Sequence, residues 1–292
     1  MTEQTFAYLL AGLAALLWGF AVIPIKSART SGRLGIAIAM ATGMTTMFAL
    51  SAPHLGVLST LTLREAGLYL ITGAMQFTLG CGSYYLAVQK GSLSVAVPIT
   101  RVKILLVLGL SILLGLEVFR WGLLVAAMLV FLGGLMVGKP LSSATLSERD
   151  GHWASIGFAI AACTFWAVSE TLMGLLPTRM PPMVSNGLLL ASGMAAWCLL
   201  ALVVGWWREL LAMPRHDVLC FVAHGLISFS AAYALFVWAI KLSTPPRVVT
   251  ITSTYPLISA LVGWVAYREG FSPRLGLGAV LLIGGVILLQ FA

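Results

Sequence analysis

The chain has 292 residues, of which 60% are hydrophobic and 9% charged, with a mean hydropathy of +1.01 and a formal net charge of +8. Soluble globular domains carry about 25% charged residues, so this composition excludes a soluble enzyme and indicates a chain that hides its apolar surface in lipid. The Lys and Arg residues lie scattered between apolar runs and form no basic stripe, which excludes a nucleic-acid-binding protein.

Long apolar runs dominate the chain, and a membrane-spanning helix needs about 20 mostly apolar residues. Ten stretches meet this requirement, and they predict an all-α integral membrane protein. The predicted spans are residues 6–25, 35–53, 67–88, 94–116, 121–138, 153–175, 185–205, 219–240, 248–266 and 275–291. We interpret the first as a retained helix, because the residues before it lack the basic region and cleavage site of a signal peptide.

The first and third spans each contain candidate site residues. Trp18 lies near the middle of the first span, where an interfacial aromatic belt does not explain it. Gln76 and Tyr84 share one face of the third span, with Gln76 near the bilayer centre. Trp18 and Tyr84 are therefore candidates for an aromatic wall around a substrate, whereas Gln76 either contacts substrate or bonds a neighbouring helix.

The fourth span is unusual because it contains Arg101 and Lys103 about half-way along. Ionisable residues at that depth are costly and are functional candidates by default. Two residues apart on one helix, they point to nearly opposite faces, so we expect at most one to face a central cavity and hold a substrate carboxylate. The alternative is that both extend to water along a helix distorted by Pro98, which is also a candidate hinge.

The longest polar connector divides the chain into residues 1–140, a loop at 141–152, and residues 153–292. Each part ends alike. Glu117 precedes a turn and a helix with the pair Gly133-Gly134, and Glu269 precedes a turn and a helix with the pair Gly284-Gly285. The two glutamates are expected to pair with nearby basic residues and fix these turns, and a role in coupling transport is the alternative. Five spans per copy imply inverted repeats around a central cavity.

The second half has a mid-helix tryptophan like that of the first half, and it also has an acidic residue close by. Trp166 lies mid-helix in the sixth span, as Trp18 does in the first, and Glu170 follows one turn later on the same face. Trp166 therefore joins the candidate aromatic wall. Glu170 either meets a substrate ammonium group, carries a proton, or pairs with Arg or Lys across the bundle.

The eighth and ninth spans supply the remaining candidates. Tyr233 and Trp238 lie on the eighth span and are candidate wall residues. The ninth opens with a polar run that includes Thr252 and Tyr255 and ends at Pro256. Because proline interrupts helical hydrogen bonding, and interrupted helices often build transporter sites, we predict substrate contacts at Thr252 and Tyr255 and a hinge at Pro256.

The sequence resembles the drug/metabolite transporter superfamily in its ten-helix form, which is built from two EamA-type repeats. The most specific residues are Thr254-Tyr255-Pro256-Leu257, the pair Arg268-Glu269, and the Gly-Gly helix that follows each glutamate. The chain departs from the pattern at Lys103-Ile104, where such repeats often carry Ser-Pro. Within the superfamily it most resembles bacterial exporters of aromatic amino acids. The resemblance implies export of small amphipathic metabolites across the bacterial inner membrane by alternating access.

The sequence contains no hydrolase, zinc-protease or P-loop motif, and its four cysteines lack metal-ligand spacing. We therefore expect no enzyme, no cofactor and no metal, with a small molecule and the lipid bilayer as partners and the oligomeric state open. Two other functions remain: proton-coupled efflux of lipophilic cationic drugs through Glu170, and an intramembrane enzyme that uses Lys103. The orientation also stays open, because the basic loops place both termini outside and the resemblance implies cytoplasmic termini.

Overall fold

The structure, a computed structural model, describes residues 2–29, 32–90, 93–137, 149–267 and 272–291. Every regular element within these ranges is helical, which confirms the predicted all-α class. The α-helices of the first half are α1 Glu3–Phe20, α2 Val22–Ser27, α3 Gly32–Leu50, α4 Leu63–Gly73, α5 Cys81–Lys90, α6 Leu93–Arg101, α7 Lys103–Leu113 and α8 Trp121–Val137. Those of the second half are α9 Arg149–Leu172, α10 Pro182–Val204, α11 Trp207–Leu211, α12 Arg215–His224, α13 Tyr233–Leu242, α14 Pro245–Thr252, α15 Tyr255–Tyr267 and α16 Pro273–Leu289.

Several helices are long and apolar enough to cross a membrane by length and composition. Among the described residues, four continuous stretches qualify: Glu3–Ile25, Trp153–Leu175, Pro182–Val204 and Arg215–Leu242. A bent pair, Leu34–Leu50 followed by Ala52–Thr60 at 95°, is a fifth candidate. The other predicted spans are also helical where the structure describes them, but they are shorter or interrupted. A multi-pass membrane protein is supported, and ten crossings stay a prediction.

Local sequence explains where several helices begin and end. Thr62 and Glu65 form a reciprocal capping box at the start of α4, and the Ser272 side chain accepts a hydrogen bond from the Leu275 backbone at the start of α16. Gly205 ends α10 with a φ of 82°, in the left-handed region that favours glycine. These caps fix where the helices begin and end, which their long apolar runs alone do not determine.

The order of elements is the same in the two halves. A π-helical segment, Ala74–Gly80, joins α4 to α5, and a second, Gly225–Ala232, joins α12 to α13. An interrupted helix follows in each half, first α6 with α7 and later α14 with α15. Each half then closes with its Gly-Gly helix, α8 or α16. The predicted connector at 141–152 falls partly outside the described residues, but α9 begins at Arg149, before the predicted boundary at 153.

The two halves interleave, because helices of one half pack mainly against helices of the other, and equivalent pairs recur in both directions. Helix α8 packs on α16, α5 packs on α9, and α13 packs on α1. The α8–α16 contact is close: a Cβ on Gly133 would lie 2.8 Å from the Gly278 carbonyl oxygen, and a Cβ on Gly285 would lie 2.8 Å from that of Ala126. Small residues thus allow the backbones to touch. Glu269 lies outside the described residues.

Candidate functional site

The two central cations lie on either side of the interruption between α6 and α7. Helix α6 ends at Arg101 and α7 begins at Lys103, and the Val102 N–H donates to the Ile99 carbonyl at 3.1 Å in a tight i to i−3 turn. Arg101 and Lys103 therefore belong to two helices, although Val102 between them keeps a right-handed helical conformation. Arg101 contacts Tyr255 of α15, whereas Lys103 contacts Glu170 of α9, so the two side chains point to different helices. The expectation that at most one of them faces a central cavity stays a prediction.

Lys103 reaches a cluster around Trp166, which we call the charged half-site: Trp166, Lys103, Glu170, Gln76 and Tyr84. The Lys103 Nζ lies 2.5 Å from the Glu170 Oε1 and 5.5 Å from the centre of the Trp166 ring. The Trp166 indole N–H donates to the Gln76 backbone carbonyl at 3.0 Å, and the Tyr84 ring lies 5.5 Å from Trp166. This arrangement combines a buried ion pair with an aromatic surface.

Trp18 is the centre of a second cluster, which we call the aromatic half-site: Trp18, Tyr233, Phe236 and Tyr255. Ring centres lie 5.0 Å from Trp18 for Tyr233, 5.3 Å for Phe236 and 6.4 Å for Tyr255. Arg101 borders this cluster. Its guanidinium lies 4.7 Å from the Tyr255 ring centre and donates to the Tyr255 hydroxyl at 3.1 Å. Cation–π contact with the ring favours this position.

The two half-sites use equivalent positions of the two halves. Lys103 and Tyr255 are each the first residue after the helix interruption, and Tyr84 and Phe236 are each the fourth residue after the π-helical segment. Trp166 contacts Lys103 and Tyr84, and Trp18 contacts the equivalent residues Tyr255 and Phe236. The halves therefore build two similar clusters, one with charges and one with aromatic rings. Sequence reasoning missed Phe236, which only an alignment of the two halves could have indicated.

A direct hydrogen bond joins the half-sites, because the Gln76 amide donates to the Tyr233 hydroxyl at 2.7 Å. Several buried polar atoms here nevertheless have no hydrogen-bond partner: the Glu170 Oε2, the Gln76 Oε1 and the Arg101 Nε. Unpaired buried polar groups are uncommon and costly, and most so in a membrane. The Gln76 side chain also lies against the Glu170 carboxylate, so the Arg101 Nε is the group that is left for a ligand to engage.

Four predicted site residues lie apart from the half-sites. Trp238 is 38% exposed and packs edge-on against Phe6, with ring centres 5.4 Å apart. Thr252 is buried, but its hydroxyl donates to the Val249 carbonyl of its own helix at 3.2 Å. Pro98 lies within α6, three residues before its end, and Pro256 is the second residue of α15. A proline in a first helical turn removes no helical hydrogen bond, so the interruption before α15 involves Ser253 and Thr254 instead.

A second polar cluster, which we call the end cluster, lies at one end of the bundle: Glu117, Arg247, Thr244 and Tyr8. The Arg247 Nε donates to the Glu117 Oε2 at 2.8 Å, and its Nη1 donates to the Tyr8 hydroxyl at 3.2 Å. Burial raises the pKa of Glu117, but hydrogen bonds from Arg247 and Thr244 outweigh burial and hold that pKa below its ordinary value. A cavity of about 480 Å³ adjoins the cluster.

The end cluster fits the expected pairing of Glu117 with a basic residue, although its partner is 130 positions away. The cluster ties the turn before α8 to α14 and α1. His224, at the end of α12, also joins two helices, because its Nδ1 lies 3.1 Å from the Ala21 carbonyl oxygen between α1 and α2.

Comparison with known proteins adds to these features. The model of the EamA-like transporter family matches residues 5–138 and again residues 153–291. A protein of Archaeoglobus fulgidus described as an uncharacterized transporter is 25% identical over 228 residues, which cover 78% of this chain and 77% of that protein. One protein crystal structure, 19% identical, shares the fold with a TM-score of 0.78 over 99% of this chain and 98% of that chain. Because the family model covers nearly the whole chain, this protein belongs to the EamA-like transporter family.

Proposed function

We propose that the protein exports small amphipathic metabolites, with aromatic and other neutral amino acids as its main substrates, across the bacterial inner membrane. The observation that carries the proposal is the contact between the charged and aromatic half-sites at the interface of the two halves. An amphipathic solute has one part that needs charge or hydrogen bonds and one part that needs apolar surface, and this interface offers both side by side.

The half-sites divide the work of substrate binding between them. The carboxylate of an amino acid is proposed to bind near Arg101 and Lys103, where a charge-assisted hydrogen bond contributes about 1.5–3 kcal/mol. Its side chain would lie against Trp18 and Tyr255, and each aromatic contact adds about 0.5–1.5 kcal/mol beyond burial. Tyr84 and Trp166 would border the same ligand from the other half.

Transport is proposed to follow alternating access between two inverted five-helix repeats. Opening of the bundle on the side of the end cluster must separate α14 from the turn before α8, which breaks the Glu117–Arg247 ion pair. The helix interruptions, with Pro98 and Pro256 near them, are the proposed hinges. The interleaved packing supports the proposal, because helices of the two halves lie in contact throughout the bundle.

The test is flux into proteoliposomes that contain the purified full chain. Labelled phenylalanine and leucine are expected to equilibrate without a pH gradient, faster than glutamate. Trp18→Ala and Trp166→Ala should each reduce the initial rate about tenfold, whereas Trp153→Ala, at a side chain that is 76% exposed, should leave it unchanged. Normal flux in both half-site variants, with normal folding, would show that the half-sites do not bind the substrate.

A second candidate is proton-coupled efflux of lipophilic cations, and one observation favours it: Glu170 is buried and its Oε2 has no partner. This function requires cation flux that depends on a pH gradient and is lost in Glu170→Gln. The intramembrane-enzyme alternative has less support, because Lys103, its candidate residue, is held by Glu170.

A further inference from the structure

We infer that the substrate supplies the anion that Arg101 lacks, so that the site selects monocarboxylates with an aromatic or apolar tail and does not require an ammonium group. The inference rests on the proposed transport site and narrows its substrate class. It predicts that deaminated analogues of aromatic amino acids bind at least as well as the amino acids themselves.

The first step is the charge balance of Arg101. Its side chain is buried, and its polar partner in the structure is the neutral hydroxyl of Tyr255. Within the described part of the chain, the other buried or paired acids are already engaged: Glu170 with Lys103, Glu117 with Arg247, Glu65 with Arg179 and Asp217 with His216. A buried guanidinium without a carboxylate is unfavourable, so the structure lacks one negative charge at this place.

The second step concerns the hydrogen bonds of Arg101. Its Nε is buried and donates to no acceptor. A guanidinium binds a carboxylate best through two parallel N–H···O bonds. Arg101 could form both, because its Nε has no partner and its Nη2 donates only to the neutral Tyr255 hydroxyl. An incoming carboxylate would replace the Tyr255 hydroxyl and engage the idle donor. A Cβ added at Gly134 would lie 3.6 Å from the Arg101 Cδ, so α8 packs against the stem of this side chain.

The third step distinguishes a monocarboxylate from a zwitterion. Arg101, Lys103 and Glu170 carry a net charge of one positive unit, which a monocarboxylate neutralises and a zwitterion does not. The Glu170 Oε1 is already bound by Lys103 at 2.5 Å. An ammonium group at the free Oε2 would lie beside the Lys103 ammonium, and like charges repel strongly where water is scarce. The ammonium of an amino acid therefore gains little here.

The fourth step places the tail. The Arg101 guanidinium lies over the Tyr255 ring, and that ring faces Trp18. A carboxylate on Arg101 thus directs the rest of the molecule toward the aromatic half-site rather than toward Lys103 and Glu170. A dicarboxylate or a phosphate monoester would carry excess negative charge into this cluster, and is expected to bind more weakly.

The experiment compares three ligands that share a phenyl tail, by competition against labelled phenylalanine on the full chain in lipid nanodiscs. 3-Phenylpropionate, which has no ammonium group, is expected to bind at least as tightly as phenylalanine and about tenfold more tightly than phenethylamine, which has no carboxylate. Direct calorimetry with each ligand covers the case in which phenylalanine does not bind. Arg101→Gln should weaken 3-phenylpropionate about tenfold, and Arg208→Gln, at an arginine that stacks on Trp207 far from the site, should not.

The outcomes separate the inference from the proposed function. If phenylalanine binds and is transported but 3-phenylpropionate does not bind, the inference is wrong and the proposed function stands. If 3-phenylpropionate binds and phenylalanine does not, the inference stands and the amino-acid assignment is wrong. If chloride alone raises the melting temperature and no carboxylate does, the missing anion is inorganic and the inference is wrong. Should Arg101→Gln not fold, Tyr255→Phe replaces it: loss of the competing hydroxyl is expected to strengthen carboxylate binding, and unchanged or weaker binding contradicts the inference.

Discussion

Replacement of Glu117 by glutamine tests how much the end cluster stabilises the fold. The Glu117 and Arg247 side chains are 7% and 10% exposed, and Glu117 also accepts a hydrogen bond from Thr244. Removal of one partner from a buried ion pair costs about 3–5 kcal/mol, because the other charge stays buried without compensation. We take the lower end, about 3 kcal/mol, because the adjoining cavity lets water approach. For a chain of this size that corresponds to a melting temperature lower by about 6 °C.

Tryptophan fluorescence during heating in detergent measures this change. Glu209→Gln, at an exposed acid, is the matched control and should lower the melting temperature by less than about 2 °C. Glu117→Gln/Arg247→Gln should recover part of the loss, since it removes the uncompensated charge. A double variant that is less stable than Glu117→Gln alone would refute the reasoning, because the cost would then arise from lost contacts rather than from the buried charge.

The same pair predicts a pH dependence with a definite sign. Because the folded-state pKa of Glu117 lies below its ordinary value, the carboxylate contributes stability above the ordinary value of about 4.3, and the contribution is lost as the pH falls through the folded-state pKa. The difference between wild type and Glu117→Gln should therefore be constant from pH 7 to pH 5 and shrink below about pH 4. A difference that is unchanged at low pH would contradict this assignment.

Two further predictions concern other parts of the fold. Gly73→Ala should lower the melting temperature by several degrees, because its Cβ would lie 2.2 Å from the Leu189 carbonyl oxygen, whereas Gly67→Ala in the same helix has open space and should be neutral or stabilising. Hydrogen bonds from Arg179 lower the pKa of Glu65 to about 2, so the effect of Arg179→Gln on the melting temperature should be constant above about pH 5 and fade as the pH drops toward 2.

The helices could be predicted from sequence, whereas their interruptions could not. A run of about 20 apolar residues has few options besides a helix, because lipid offers its backbone no hydrogen bonds. The π-helical segment Ala74–Gly80 and the turn at Val102 have no comparable signature. The different directions of Arg101, toward α15, and Lys103, toward α9, agree with the helical period, but the identity of those partner helices does not follow from it.

For residues that are distant in sequence, the sequence predicts the kind of group that each one contacts but not which residue supplies that group. Glu170 was expected to meet a cation, a proton or a substrate, but its partner Lys103 follows from which helices pack together. Trp238 shows the opposite error. It follows Tyr233 by five residues, which places the two side chains about 140° apart on one helix, so both could not face the centre. Among the described residues of this helix, Tyr233 therefore belongs to the candidate site and Trp238 does not, whereas Phe236, which was not predicted, does.

The interleaved packing of the halves has a consequence for biogenesis. The helices of the first half leave the ribosome before any of their partner helices exist. The glycine face of α8 then has no α16 to pack against until that helix has been synthesised. We expect a nascent chain that stops before α16 to stay open to degradation until that helix has inserted against α8.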